Sequence, residues 1–263
     1  MRGSLRIAVA AVALILPAGP SGAASCPSSA KIQKSLEGID LSASARSARF
    51  EMSTPTTLYR KAAKSVGKVF ADHEGRKGAA VVAVELPVEL VWKAINDENH
   101  HALETDYIPV RYSGVIEGTA HGDDRLLFQY FQQMGIGRWW VTRNWMNREL
   151  YDSSGGRLWE LIWEDEMEGI DRSRPPFDRM GPGVSPVKAT RGSWLLVRVA
   201  ESCTMIEYFS WSEPGGAAGL VQGFLIRRLL RRTLQGAVLL AEEHLSSSRS
   251  HSGFIRPDGT RLD

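Results

Sequence analysis

The chain has 263 residues, 43% of them hydrophobic, with a formal net charge of +2 at pH 7. A molecule this close to neutral has no strong long-range field, which argues against nucleic-acid binding through overall charge and makes any basic surface a local one. Its two cysteines, Cys26 and Cys203, do not have metal-site spacing, and a chain this size needs no disulfide scaffold to fold.

Arg2 and Arg6 precede the apolar run Ile7–Leu16, which Pro17 and the small residues of "SGAAS" close. That order predicts a secretory signal peptide over residues 1–24, too short to span a bilayer, and an exported, periplasmic protein. "AASC" is also a poor lipobox, with Ala23 where leucine is usual, so a lipoprotein anchored at Cys26 is the lesser alternative. In an oxidising compartment Cys26 and Cys203 either form a bridge or remain separate thiols.

Residues 25–55, rich in Ser, Ala and Arg, read as an N-terminal tether with a short helical stretch around Ile32–Leu36. Over 56–72, Leu58, Ala62, Val66 and Val69 recur at helical spacing. From Ala79 the period changes to two. Strands are expected at 79–86, 110–117, 125–132, 138–150, 157–165, 190–200 and 203–212, bounded by Gly, Asp and Ser clusters. Pro87 opens a helix with Val88, Val91, Trp92 and Ile95 on one face. Residues 166–189 form a long Pro/Gly/Arg loop, the kind that carries function in a compact domain. A last helix begins near Ala217, with Gly219, Gly223, Ile226, Leu230, Leu234, Ala237, Ala241 and Leu245 in one stripe. Residues 246–263 are a polar, flexible tail. Short connections make the strands antiparallel neighbours, and the terminal helix is the element long enough to cover one face of their sheet.

"VELPVELVWKAINDENH", "GIGRWWVTRNW", "RGSWLLVRV" and "SWSEPGGAAGLVQGFLIRRLL", in this order and followed by the long helix, resemble the START-like superfamily, also called SRPBCC or helix-grip proteins. The resemblance covers most of 79–245 and implies an α+β fold, with a curved antiparallel sheet of about seven strands wrapped around the C-terminal helix. The START-like domain is placed at 56–245. It further implies a hydrophobic ligand in a tunnel between sheet and helix, in a lipid-binding or lipid-transport protein or in a polyketide cyclase or aromatase. The fold alone does not choose among these.

Aromatic side chains on the expected strands suit a pocket or an ordinary core: Phe128, Tyr130, Trp140, Trp159, Trp163, Trp194, Phe209 and Trp211. Gly219 and Gly223 leave room on the helix above Ile226 and Leu230. Arg143, Glu160, Glu164 and Arg191 are candidate polar groups of the pocket, and a carboxylate there would serve a cyclase as acid or base; alternation also allows the outer, solvent-facing position, which is the favoured one. Arg227, Arg228, Arg231 and Arg232 make a basic flank that either is solvated or docks on anionic lipid. His100, His101, Glu104 and Asp106 offer metal-ligand chemistry without a matching motif, so a solvated loop is expected there and no metal. GxSxG, GxGxxG and Walker patterns are absent, and no cofactor is expected. The expected partner is a lipid or other hydrophobic small molecule, with peripheral contact to an anionic membrane, no nucleic acid, and a monomeric protein. The principal reading is a ligand-binding module with Pro/Gly-rich 166–189 and "EPGG" as its gate; the alternative is a cyclase-like enzyme without an assigned catalytic residue.

Overall fold

The structure is a computed structural model and describes residues 25–45, 56–103, 110–133, 136–173, 175–213, 222–246 and 252–262. The expected signal peptide, residues 46–55 of the tether, Glu104, Asp106 and Gly219 lie outside these. Helices are α1 (Ser29–Leu36), α2 (Thr56–Lys64), α3 (Val88–Asn96), α4 (Glu98–Leu103), α5 (Arg148–Ser153) and α6 (Gln222–Ser246). Strands are β1 (Phe70–Glu74), β2 (Lys77–Val84), β3 (Tyr112–Glu117), β4 (Arg125–Gln133), β5 (Ile136–Met146), β6 (Leu158–Asp165), β7 (Val184–Pro186), β8 (Ala189–Ala200) and β9 (Cys203–Glu213).

They form one 9-stranded sheet in the order β1-β2-β9-β8-β6-β5-β4-β3, antiparallel except for β7, which runs parallel to β5. The expected strands are all there, and β1 and β7 are additions. The helix expected over 56–72 stops at Lys64, and Gly67 follows with φ 80°, a backbone conformation that a helix cannot continue through. The chain then enters β1, and Gly75, with φ 58°, opens the two-residue loop that turns it into β2. Val66 is consequently exposed rather than on a buried helical face.

Alternation along each strand gives the sheet two apolar faces. On the inner face Ala80, Val82, Val84, Leu161, Trp194, Leu196 and Ile206 pack with α3 and α6. Val88, Val91, Trp92 and Ile95 of α3 are buried there, as their spacing predicts. From α6 come Leu230, Leu234, Ala237 and Ala241, whereas Leu245 is 63% exposed and leaves the stripe. Helix α6 packs on α3, β1, β2 and β9. It comes close over β2: a Cβ at Gly78 would lie 2.6 Å from Cδ1 of Leu230 and 3.3 Å from Cγ2 of Ile226.

The outer face corrects the expected tether. Residues 25–45 and α2 form a layer on it, with Ile32, Ala45, Leu58, Tyr59, Ala62 and Ala63 packed against Ala79, Val81, Leu158, Leu195, Met205 and Phe209. A sheet with apolar side chains on both faces must be covered on both. Cys26 and Cys203 are joined by a disulfide, which fastens the start of this layer to β9 and leaves Cys26 no thiol for a lipid anchor. The expected flexible tail is also corrected over 252–262. Phe254 and Leu262 are buried in the inner cluster, and the indole N–H of Trp92 donates to the Ile255 carbonyl at 2.8 Å.

Candidate functional site

Cross-strand register places one group of side chains together at the β3–β6 end of the inner face. Asn144 is paired with Arg125 on β4 and Trp163 on β6; Trp163 is paired with Gly192 on β8, which faces Ser210 of β9. One step outward come Val115, Leu127, Thr142, Asp165, Thr190 and Ser212. The next step holds Ser113, Gln129 and Trp140.

The inner wall is aromatic. The Trp163 and Tyr208 rings stack at 5.4 Å and 19°, and Trp194 lies 4.4 Å from Tyr208. Trp163 reaches this position by crossing Gly192, where a Cβ would stand 2.2 Å from its Cζ2. Burial pushes the Tyr208 phenol up to about 12, against the lowering effect of a bond with Ser210, so it stays neutral at physiological pH.

At the floor, Arg125 is wholly buried. Its guanidinium donates to the Glu98 carboxylate, to Asn96 Oδ1 at 2.8 Å and to the Gly122 carbonyl. Arg125 and Glu98 are not among the candidate polar groups Arg143, Glu160, Glu164 and Arg191 read from the sequence. The signal was present: Arg125 stands at the head of the apolar strand "RLLF", and Glu98 directly follows a buried helix. Next to the pair, Asp97 binds His100 at 2.7 Å and His244 of α6 at 3.2 Å. Burial raises the Asp97 pKa, but the two histidines outweigh it and hold the carboxyl at about 2. Buried His101, with Nε2 2.8 Å from the Ala94 carbonyl, has its pKa lowered by that burial. Residues 98–103 are therefore a packed helix and not the expected solvated loop.

The rim is a ladder of side chains. The Trp140 indole N–H donates to Gln129 Oε1 and Gln129 Nε2 donates to Ser113 Oγ, both at 3.1 Å.

Of the residues expected in the pocket, Trp140, Trp163 and Trp194 lie on this part of the inner face. Trp159 is on the same face but wholly buried against Trp92 and Tyr151, as core. Ile226 and Leu230 meet β2, and Gly223 lies in α6. The period of two puts the others on the opposite face. Phe128 and Tyr130 belong to an outer cluster closed by Phe177 of the long loop, with Phe128 and Phe177 rings 4.7 Å apart. Met167, Ile170, Phe177, Met180 and Val184 of the expected gate 166–189 thus pack on the outer face, and Pro214–Gly216 of "EPGG" lie outside the described residues. Phe209 lies beneath the N-terminal layer, and Trp211 carries the Arg191 guanidinium at 4.6 Å.

The expected polar groups are outer as well. Arg143 is held by Glu166 at 2.5 Å and Asp124 at 2.9 Å, and its register partner Glu164 shares that face. Glu160 is fully buried there, accepting from the Ser44 hydroxyl at 2.9 Å, the Ala45 N–H at 3.0 Å and Asn147 Nδ2 at 2.8 Å. It anchors the N-terminal layer, as Glu207 does by accepting from the Tyr59 hydroxyl. Of the basic flank, Arg227 pairs with Asp72 at 3.4 Å, Arg228 and Arg231 are exposed, and Arg232 is half-buried. A cleft of about 190 Å³ lined by Ala43, Trp145, Met146, Arg148 and Ile162 opens beside the N-terminal layer.

No protein-family model matches the sequence, and no curated protein matches it significantly. Solved structures do match. A STAR-related lipid transfer protein from Xanthomonas axonopodis superposes with a TM-score of 0.50 at 16% identity, over 70% of this chain and 97% of the other. Human STARD10 gives 0.50 at 11% identity, over 69% of this chain and 75% of the other. The Zhui aromatase/cyclase from a Streptomyces species gives 0.41 at 13% identity, over 72% of this chain and 100% of the other. The chain has the START-like, helix-grip fold. The core of that fold is the nine-stranded sheet with α6 on its inner face. Among the described residues no helix is long and apolar enough to cross a membrane, and no His, Cys, Asp and Glu group could hold a metal ion.

Proposed function

We propose that this protein binds a lipid or similar hydrophobic small molecule in the hollow between the inner sheet face and α6, and carries it outside the cytoplasm. The observation that bears most weight is the aromatic group Trp163, Tyr208 and Trp194 on the inner face, together with the packing of the described part of α6 at the β1–β2 end. Apolar ligands are held by such concave, aromatic-lined sites. The lipid-transfer proteins that share the fold support the same reading. The leader pattern at 1–24 and the Cys26–Cys203 disulfide support export into an oxidising compartment. Exposed Arg228 and Arg231 supply a basic face for transient contact with anionic lipid.

The cyclase alternative gains nothing from Glu160 and Glu164, which face away from the hollow. The test is a transfer assay with donor and acceptor vesicles of phosphatidylcholine and phosphatidylglycerol carrying a pyrene-labelled lipid. Protein-dependent transfer that rises with phosphatidylglycerol supports carriage; transfer no faster than without protein refutes it.

A further inference from the structure

The hollow is greasy on one side only. Beside the aromatic side chains on the inner face are Thr142 (2% exposed), Asn144 (4% exposed) and half-buried Asp165, on adjacent strands. Their internal bonds fix which atoms remain open. Asn144 Nδ2 lies 2.9 Å from both the Thr142 carbonyl and Thr142 Oγ1. A carbonyl only accepts, so the nitrogen must be on that side, and Oδ1 is the amide atom left over. Asp165 Oδ1 accepts from the Thr190 N–H at 2.8 Å, leaving Oδ2. Neither Asn144 Oδ1 nor Asp165 Oδ2 accepts a hydrogen bond among the described residues.

The nearest cation by register on this face, Arg125, is committed to Glu98, Asn96 and Gly122. Arg143 and Arg191 are on the other face, with Glu166 and Trp211. Two open acceptors, one of them a carboxylate, therefore stand beside the Thr142 hydroxyl, and among the described residues neither is bonded to a basic side chain. Register neighbours sit about 5 Å apart across strands and about 7 Å apart along one, a span that a small polyol head can bridge. A purely hydrocarbon ligand would strip water from these groups and return no hydrogen bond, so it binds less well here than one with hydroxyl groups.

We propose that Thr142, Asn144 and Asp165 form a subsite for the hydroxyl groups of an amphiphile, which enters polar end inward with its apolar part against Trp163 and Tyr208. This assignment rests on the proposed ligand-binding function and adds the ligand class: a hydroxylated amphiphile. The experiment uses two probes with one acyl chain, 1-oleoylglycerol and methyl oleate, whose affinities are measured by native mass spectrometry and by titrating the Trp140 indole N–H resonance. The parent protein binds 1-oleoylglycerol at least tenfold more tightly. Asp165→Asn keeps the acceptor for Thr190 but replaces Oδ2 with a donor, and Thr142→Val keeps the shape without the hydroxyl. Each lowers the preference to threefold or less while leaving methyl oleate affinity unchanged. Equal binding of both probes by the parent, or an unchanged preference in both variants, overturns the subsite and leaves the binding function standing. Binding of neither probe overturns both.

Discussion

Trp163 lies across Gly192 of the neighbouring strand and stacks on Tyr208, so a residue without a side chain sets the position of the hollow's inner wall. A Cβ at Gly192 would also stand 2.2 Å from the Phe209 carbonyl oxygen, which is backbone and has little freedom to move. Gly192→Ala is expected to lower stability by about 1–3 kcal/mol, the usual cost of overpacking. Urea unfolding reads the loss, and near-ultraviolet circular dichroism reads the displaced indole. A variant with unchanged midpoint and spectrum would remove Gly192 from this role.

The disulfide closes a loop with a sequence separation of 177 residues and holds the N-terminal layer on the outer face. Replacing both Cys26 and Cys203 with serine should cost about 2–4 kcal/mol of stability. It should also admit protease to residues 25–45 under conditions where the parent is resistant. Ligand uptake should persist, because the layer covers the face opposite the hollow. Loss of uptake with an intact fold would contradict the division of the sheet into a structural face and a binding face.

Arg125 and Glu98 must be removed together. Arg125→Met leaves the buried Glu98 carboxylate without its guanidinium and should destabilise by about 3–5 kcal/mol. Adding Glu98→Leu should recover much of this in a double-mutant cycle. Equal losses in the single and double variants would show that the two residues act independently.

Acid should weaken the fold in two windows. The folded pKa of His101 is lowered from the usual 6.5, so the stability it contributes is present above that value and is lost as pH falls below it. The folded pKa of Asp97 is lowered from the usual 3.8 to about 2, so its contribution is lost as pH falls from about 4 towards 2. Melting temperature against pH should show both steps, and His101→Gln should remove only the upper one. A flat profile from pH 7 to 5 would contradict the buried, neutral state of His101.

These residues also mark what was legible in the sequence. Strand order and the α3 and α6 faces could be read because a period of two or of 3–4 reports burial directly. Which face of a strand meets which layer could not. Phe209 and Tyr208 are neighbours of similar character, yet one lies under Leu58 and its neighbours while the other lines the hollow. Deciding between them needed the knowledge that 25–45 packs as a layer, and its Ser/Ala-rich sequence reads as linker because its anchors are distant: Cys203, Glu160 and Glu207. Polar strand residues have the same ambiguity, because alternation alone does not say which face is covered. Asp165 and Asn144 carry no motif, and only the register brings them together.

The central claim is that the hollow beside Trp163 holds a hydrophobic guest. Native mass spectrometry of the protein purified without detergent, followed by solvent extraction of what it carries, tests this most directly. The account predicts a discrete adduct that solvent releases and that returns with a rise in melting temperature when added back. A ligand-free mass, with no stabilisation by any lipid extract, would contradict it.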